Sequence, residues 1–296
     1  VSVLDCAGDA EAGSEVDVIA TYRVGEGARG ISLSPDGSTA WVDVGFDYSV
    51  AELRLDPDAP GVGVEPEKVV RRTTGDLAFS PDALAGRRTF NDARDRHLTP
   101  SGVAACATCH LDGGDDGVTW RISTDDIPTK MRRTPPVWRL AEGTKPLHWD
   151  GEFDSAADLT AATIRNLLGG DGLLVDTSKV AAYMAEIEAP PPGADVDPGQ
   201  VDRGRVLFET ICAECHAGDV GTDGRAHDLG RTSDDPDGEL DEVVTPTLLG
   251  TRARAPFFHD GSAATLEEAL EGEAHGALPL LDDVDRRRLL DYLATR

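Results

Sequence analysis

A mainly α-helical protein preceded by a small β segment is predicted from three features of this 296-residue sequence. Two pentapeptides of the form C-x-x-C-H, Cys106–His110 and Cys212–His216, stand beside apolar stripes with helical spacing. A proline-rich stretch, Ala189 to Pro198, separates them. The N-terminal region carries no helical stripe and alternates polar and apolar residues as strands do. The expected organisation is a β segment over 1–76, a first helical domain over 77–192 and a second over 193–296.

Each element has its own signal. Ile31 to Val44 alternates on either side of a Pro35-Asp36-Gly37 turn, the pattern of a β-hairpin. Val50–Leu55 reads as a further strand, and Val1–Asp5 as the closing strand of an earlier unit. Gly86–Phe90 leads weakly toward the first pentapeptide. Leu207, Phe208 and Ile211 lead directly into the second on one helical face. Asp176 or Thr177 can cap a helix whose stripe is Val180, Tyr183, Met184 and Ile187. Leu289, Leu290 and Leu293 form the stripe of a final helix. The run Ala189 to Pro198 cannot be helical and is read as a linker.

Composition excludes partners more readily than it names them. With 28 basic against 55 acidic residues the net charge is −27, which repels nucleic acid and anionic membrane. The 40% of hydrophobic residues is enough for ordinary cores, and no run approaches the roughly 18 apolar residues of a transmembrane helix. The sequence begins at Val1 without an initiator Met or an apolar leader, so it is expected to be a mature or truncated piece.

The pentapeptides name a chemistry. Two thiols three positions apart can both reach the vinyl groups of one porphyrin, and the adjacent imidazole then lies under the iron as an axial ligand. A zinc site made by Cys106, Cys109, Cys212 and Cys215 competes, as do a thioredoxin-like pair and two plain disulfides. None of these explains a histidine after both pairs. The two helical domains are therefore expected to be cytochrome c-type haem domains, with His110 and His216 as ligands of two covalently attached haem c groups. The fifth cysteine, Cys6, is read as a small buried thiol or as the partner of a missing segment.

Further motifs carry a resemblance. Arg132-Arg-Thr-Pro135, Leu147-His-Trp-Asp-Gly151, Thr245-Pro-Thr-Leu248 and Ala255-Pro-Phe-Phe-His-Asp-Gly-Ser262, with Thr265-Leu-Glu-Glu268, follow in the order seen in bacterial dihaem cytochrome c peroxidases. The sequence resembles that family and the related MauG-type enzymes over roughly residues 77 to 296. The hairpin around Pro35-Asp36-Gly37 resembles one blade of a YVTN-like β-propeller, as if the chain began mid-propeller; some family members carry a propeller ahead of the haem domains.

The resemblance implies a peroxidase-like oxidoreductase, periplasmic or extracellular. A small donor protein of cytochrome c or cupredoxin type would deliver electrons to the C-terminal haem. Hydrogen peroxide, or another small substrate, would react at the N-terminal haem. Trp149 would pass electrons between them, and the missing part of a propeller or a dimer mate would be a further partner. The other reading is a non-catalytic dihaem electron-transfer protein or a redox module attached to a propeller.

Several positions depart from the family pattern. Leu111 to Met131 holds no histidine, so the reactive iron is expected to be open, or held by Met131 or His148. His275 is the expected sixth ligand of the C-terminal haem and His259 its alternative, while Met184 is read as core. Glu152 and Asp171 are candidates for the distal acid/base group, with His148 beside them. Calcium, which family members hold between the domains, would have Arg133 where an Asn ligand is expected, leaving Thr245 and Pro246 as carbonyl donors.

Overall fold

A computed structural model describes residues 2–4, 18–46, 48–55, 61–64, 68–71, 79–124, 128–140, 144–192, 196–229, 233–271 and 281–296. The chain forms two compact units, Val1–Ala78 and Phe79–Arg296.

The first unit is β. Strands β1 (Ser2–Leu4) and β2 (Val18–Tyr22) pair antiparallel, and β6 (Gly61–Val64) runs parallel to β2. A second sheet has the order β3 (Ala28–Leu33), β4 (Thr39–Val44), β5 (Ser49–Arg54) and β7 (Lys68–Arg71), all antiparallel. The predicted hairpin is β3–β4. In its turn the Gly37 amide donates to the Ser34 carbonyl at 2.9 Å, and the Asp36 carboxylate accepts from the Ser34 hydroxyl at 2.6 Å. The Ser34 hydroxyl bond, with others from Ser38, holds the Asp36 carboxyl down at about 2. Ala40, Val42, Val44, Ala51 and Leu53 form the core with Ala20, Tyr22 and Val24. Alternation predicts an inward face for Ile31 and Leu33, yet they are 61% and 59% exposed. The reason is position: β3 is an edge strand among the described residues, and the core closes over β4 and β5. Four antiparallel strands do not by themselves make a propeller blade.

The second unit is mainly helical, with two short β ladders that the sequence did not announce. They are β8 (Thr119–Ile122) on β9 (Lys130–Arg133), and β10 (Ala226–His227) on β11 (Val243–Val244). Seven helices are described: α1 (Pro81–Asn91), α2 (Cys106–Cys109), α3 (Ala156–Thr163), α4 (Thr177–Glu186), α5 (Pro198–Ile211), α6 (Leu266–Glu271) and α7 (Asp283–Leu293). The architecture is therefore mixed rather than purely helical.

One packing plan is used twice. Helix α1 starts with Ser80 as N-cap and Pro81 in its first turn, and α5 repeats the device with Asp197 and Pro198. Helix α1 packs on α4, and α5 on α7. At the first crossing a Cβ on Gly86 would overlap the Lys179 carbonyl; at the second a Cβ on Gly204 would overlap that of Arg288. Four residues on, one turn further, Phe90 meets Tyr183 with ring centroids 5.2 Å apart, and Phe208 meets Tyr292 at 5.1 Å. The predicted stripe Val180, Tyr183, Met184, Ile187 is buried throughout, as are Leu289 and Leu293.

Candidate functional site

Each pentapeptide folds as a single tight turn. The His110 amide donates to the Cys106 carbonyl at 2.9 Å and the His216 amide to that of Cys212 at 2.8 Å. Each imidazole is then held from behind: His110 Nδ1 lies 3.3 Å from the Gly114 carbonyl, and His216 Nδ1 lies 3.0 Å from the Gly221 carbonyl. With Nδ1–H donating to a carbonyl, Nε2 keeps its lone pair for an iron. Burial lowers the His110 pKa, so the ring is kept in the neutral form that a ligand needs.

The thiols fit the same role. Cys106 packs against the cluster of Phe90, Val180 and Tyr183, and Cys212 against that of Phe208 and Leu289. Burial pushes both thiols up to about 11, so they stay neutral among apolar side chains. All four are unpaired, which removes the two disulfides. Among the described residues the metal-ligand clusters are Cys215, Asp223, His227 and His148, Asp150, Glu152, so the four thiols do not converge on a zinc ion. Two thiols and an imidazole in each helical segment are a donor set that would fit a haem c attachment.

Between the segments lies a second repetition. Leu147–Phe153 and Phe257–Ala263 are the same loop twice. Each opens after a cis X-Pro bond, and the amides of Leu147 and Phe257 donate to the carbonyls of Phe153 and Ala263, both at 2.7 Å. His148 and Phe258 take positive φ of 71° and 66°, followed three residues later by Gly151 and Gly261 in the same region. Trp149 and His259 consequently hold equivalent places. The Trp149 carbonyl accepts from the Val244 amide of β11 at 2.8 Å, and the His259 carbonyl accepts from the Arg133 amide of β9 at 2.5 Å. Each loop thus pairs with the other segment. The two rings meet edge to face, centroids 6.2 Å apart. Trp149 Nε1 donates to the Arg133 carbonyl at 2.8 Å, and His259 Nε2 bonds the Gly238 carbonyl at 2.7 Å. Service as an axial ligand through Nε2 would cost His259 that bond.

His148 Nδ1 is 3.0 Å from Glu152, and Lys130 Nζ is 2.8 Å from Glu152 and 3.0 Å from Asp150. The bond with His148, then Lys130, takes the Glu152 carboxyl down to about 2. The Lys130 ammonium occupies the cation position that His148, Asp150 and Glu152 would otherwise offer a metal. His148 is close enough to His110 to depress its pKa through space. Met131 sits in β9, half-buried, with its amide bonded to the Asp237 carbonyl at 2.6 Å. Asp171 is engaged by His97 Nδ1 at 2.9 Å on an exposed surface. His275 and Cys6 lie outside the described residues.

Two residues were missed by sequence reasoning. Trp138 Nε1 bonds the Asp112 carbonyl at 3.0 Å, and its ring fills the space beside Gly113 and Gly250, tying the loop after the first pentapeptide to the second segment. His227 pairs with Asp223 at 2.8 Å beside Cys215. The Asp-Gly spacing shared by the two loops was the readable signal for the Trp149–His259 pairing.

The calcium that the family resemblance raises, already in doubt from Arg133, does not fit the residues present. Arg133 is 1% exposed, and its Nη2 bonds Asp115 at 2.8 Å and the Arg254 carbonyl at 2.5 Å. Arg254, also buried, donates to the Thr247 carbonyl. The Thr245 carbonyl is taken by the Thr222 hydroxyl at 2.6 Å. Two guanidinium groups hold this region, and a divalent cation beside them would be repelled.

The fold defined by these paired helices and loops is that of dihaem peroxidase-like proteins. The dihaem peroxidase BthA from Burkholderia thailandensis superposes with a TM-score of 0.51, 16% identity and coverage of 91% of this chain and 95% of that one. A chain of Kuenenia stuttgartiensis hydrazine synthase gives 0.61 at 20% identity, covering 76% and 90%. In sequence, the chain is 29% identical to the methylamine utilization protein MauG of Methylorubrum extorquens over 287 residues, spanning 73% of this chain and 78% of that protein. It is 24% identical to the cytochrome c551 peroxidase of Nitrosomonas europaea, spanning 70% and 75%. No protein-family model matches the sequence.

Proposed function

We propose that this chain is a dihaem c-type oxidoreductase of the peroxidase type, accepting electrons at Cys212, Cys215 and His216 and using them at Cys106, Cys109 and His110. The observation that carries the reading is the doubled framework: two pentapeptides whose histidines are each tethered through Nδ1 to a downstream glycine carbonyl, joined by reciprocal loops that bring Trp149 and His259 into contact. When bound, each haem supplies one-electron redox chemistry. The residues supply the rest. Gly114 and Gly221 orient the imidazoles, and Trp149 links the segments through its carbonyl, which accepts from the Val244 amide, and its ring contact with His259. His148 and Glu152, hydrogen-bonded to each other, are the residues proposed to move the proton that peroxide cleavage requires. Reduction of one peroxide consumes two electrons from the donor and two protons, and yields two waters.

Among the described residues no helix is long and apolar enough to cross a membrane. Attachment of haem c places the protein in the periplasm or outside the cell, where a small cytochrome or cupredoxin is the donor. Absorption and EPR spectra of the oxidised holoprotein test the reading. A high-spin haem that responds to hydrogen peroxide is the expected result. Two low-spin haems in both redox states, inert to peroxide, would show an electron carrier instead.

A further inference from the structure

We infer that the guanidinium groups of Arg133 and Arg254 form a binding site for the carboxylate of a haem propionate. The inference rests on the dihaem reading above. Both arginines are buried, and they face a single buried carboxylate, Asp115, whose side chain is 4% exposed. One positive charge is left unmatched. Asp116 adds only a through-space attraction, its own oxygens being engaged by the Val118 amide and Trp120 Nε1. Burial, then Arg133, lowers the Arg254 pKa to about 10.

Unmet hydrogen bonds point the same way. Arg133 Nε and Arg254 Nε are buried donors without partners. Native interiors rarely leave such groups bare, and a buried charge without a counter-ion is costly. A carboxylate brings one negative charge and oxygens for both Nε donors, and guanidinium forks suit it. The location favours propionate. Asp115 follows Gly114, whose carbonyl holds His110; Arg133 is two residues before Pro135, whose carbonyl also bears on that ring; and the Arg133 carbonyl holds Trp149. The group lies where the first haem attachment meets the second segment.

The test uses the holoprotein with Arg254→Gln and Arg254→Lys. Haem content is read from the pyridine haemochrome, potentials by spectroelectrochemistry and propionate contacts by resonance Raman. Two haems should remain in both variants. Loss of the charge in Arg254→Gln should favour the ferric form of one haem about tenfold, a fall of about 59 mV, with a shifted propionate band. Arg254→Lys should restore most of the potential but not the band, which decides the matter even if the Gln variant fails to fold. Unchanged potentials and bands would overturn the site. A wild-type potential that tracks chloride or phosphate at fixed ionic strength would assign the site to a free anion and overturn it too. A wild-type protein lacking covalent haem would overturn the dihaem reading instead.

Discussion

Trp149 and His259 stand at matching positions of two copies of one loop, and their rings meet edge to face with centroids 6.2 Å apart. Each loop hands its carbonyl to a strand of the other segment, Trp149 to Val244 and His259 to Arg133. The junction is therefore built by exchange, and the buried indole is fixed at its centre.

Replacing Trp149 with Phe keeps an aromatic ring and deletes the donor that bonds the Arg133 carbonyl at 2.8 Å. Stability is expected to fall by about 1 kcal/mol. Haem content should be unchanged while electron transfer between the haems, followed by stopped flow after reduction by a donor, slows. An unchanged rate would remove Trp149 from the path.

Changing Cys106 and Cys109 together to Ala is expected to halve the covalently bound haem, and changing Cys212 and Cys215 to do the same independently. Intact-mass measurement and the pyridine haemochrome count the groups directly. Two haems retained in either double variant would contradict the assignment.

Gly86→Ala and Gly204→Ala each put a methyl group onto a backbone carbonyl, Lys179 in one case and Arg288 in the other. Neither neighbour is a flexible side-chain tip. Denaturant unfolding should show losses at the upper end of the ~1–3 kcal/mol range for overpacked cores. A loss under about 0.5 kcal/mol would mean that the helices do not cross so closely.

Glu152 titrates near 2 in the folded chain against an ordinary 4.5. A carboxyl with a depressed folded pKa binds its proton more readily in the unfolded chain, so its stabilisation is full above about 4.5 and disappears as pH falls toward 2. Relative to Glu152→Gln, the wild type should be more stable at neutral pH, and the gap should close between those values. A gap independent of pH would argue against the His148 and Lys130 contacts.

Much of this framework could be read from residue order. Periodicity located α4, α5 and α7, because a stripe of Val180, Tyr183, Met184 and Ile187 has one way to be buried on a helix. The Pro35-Asp36-Gly37 turn fixed the hairpin, since its bonds are local. Local pattern failed where burial depends on distant chain. Ile31 and Leu33 alternate like inward residues but lie on an edge. Arg133 and Arg254 look like surface residues in an Arg-rich chain, and only the meeting of β9 with the segment before Pro256 encloses them.

By itself the sequence pointed to the chemistry: each C-x-x-C-H pentapeptide holds its candidate haem-attaching groups within five residues, and a turn that short needs nothing remote to form. Tertiary structure alone decided how the two halves join. The exchange of Trp149 and His259 across the junction, and the burial of two guanidinium groups against one carboxylate, depend on contacts between residues far apart in the chain, such as Trp149 with His259 and Arg133 with Arg254. Such contacts follow from how packed elements meet in space, which periodicity within a single element does not encode.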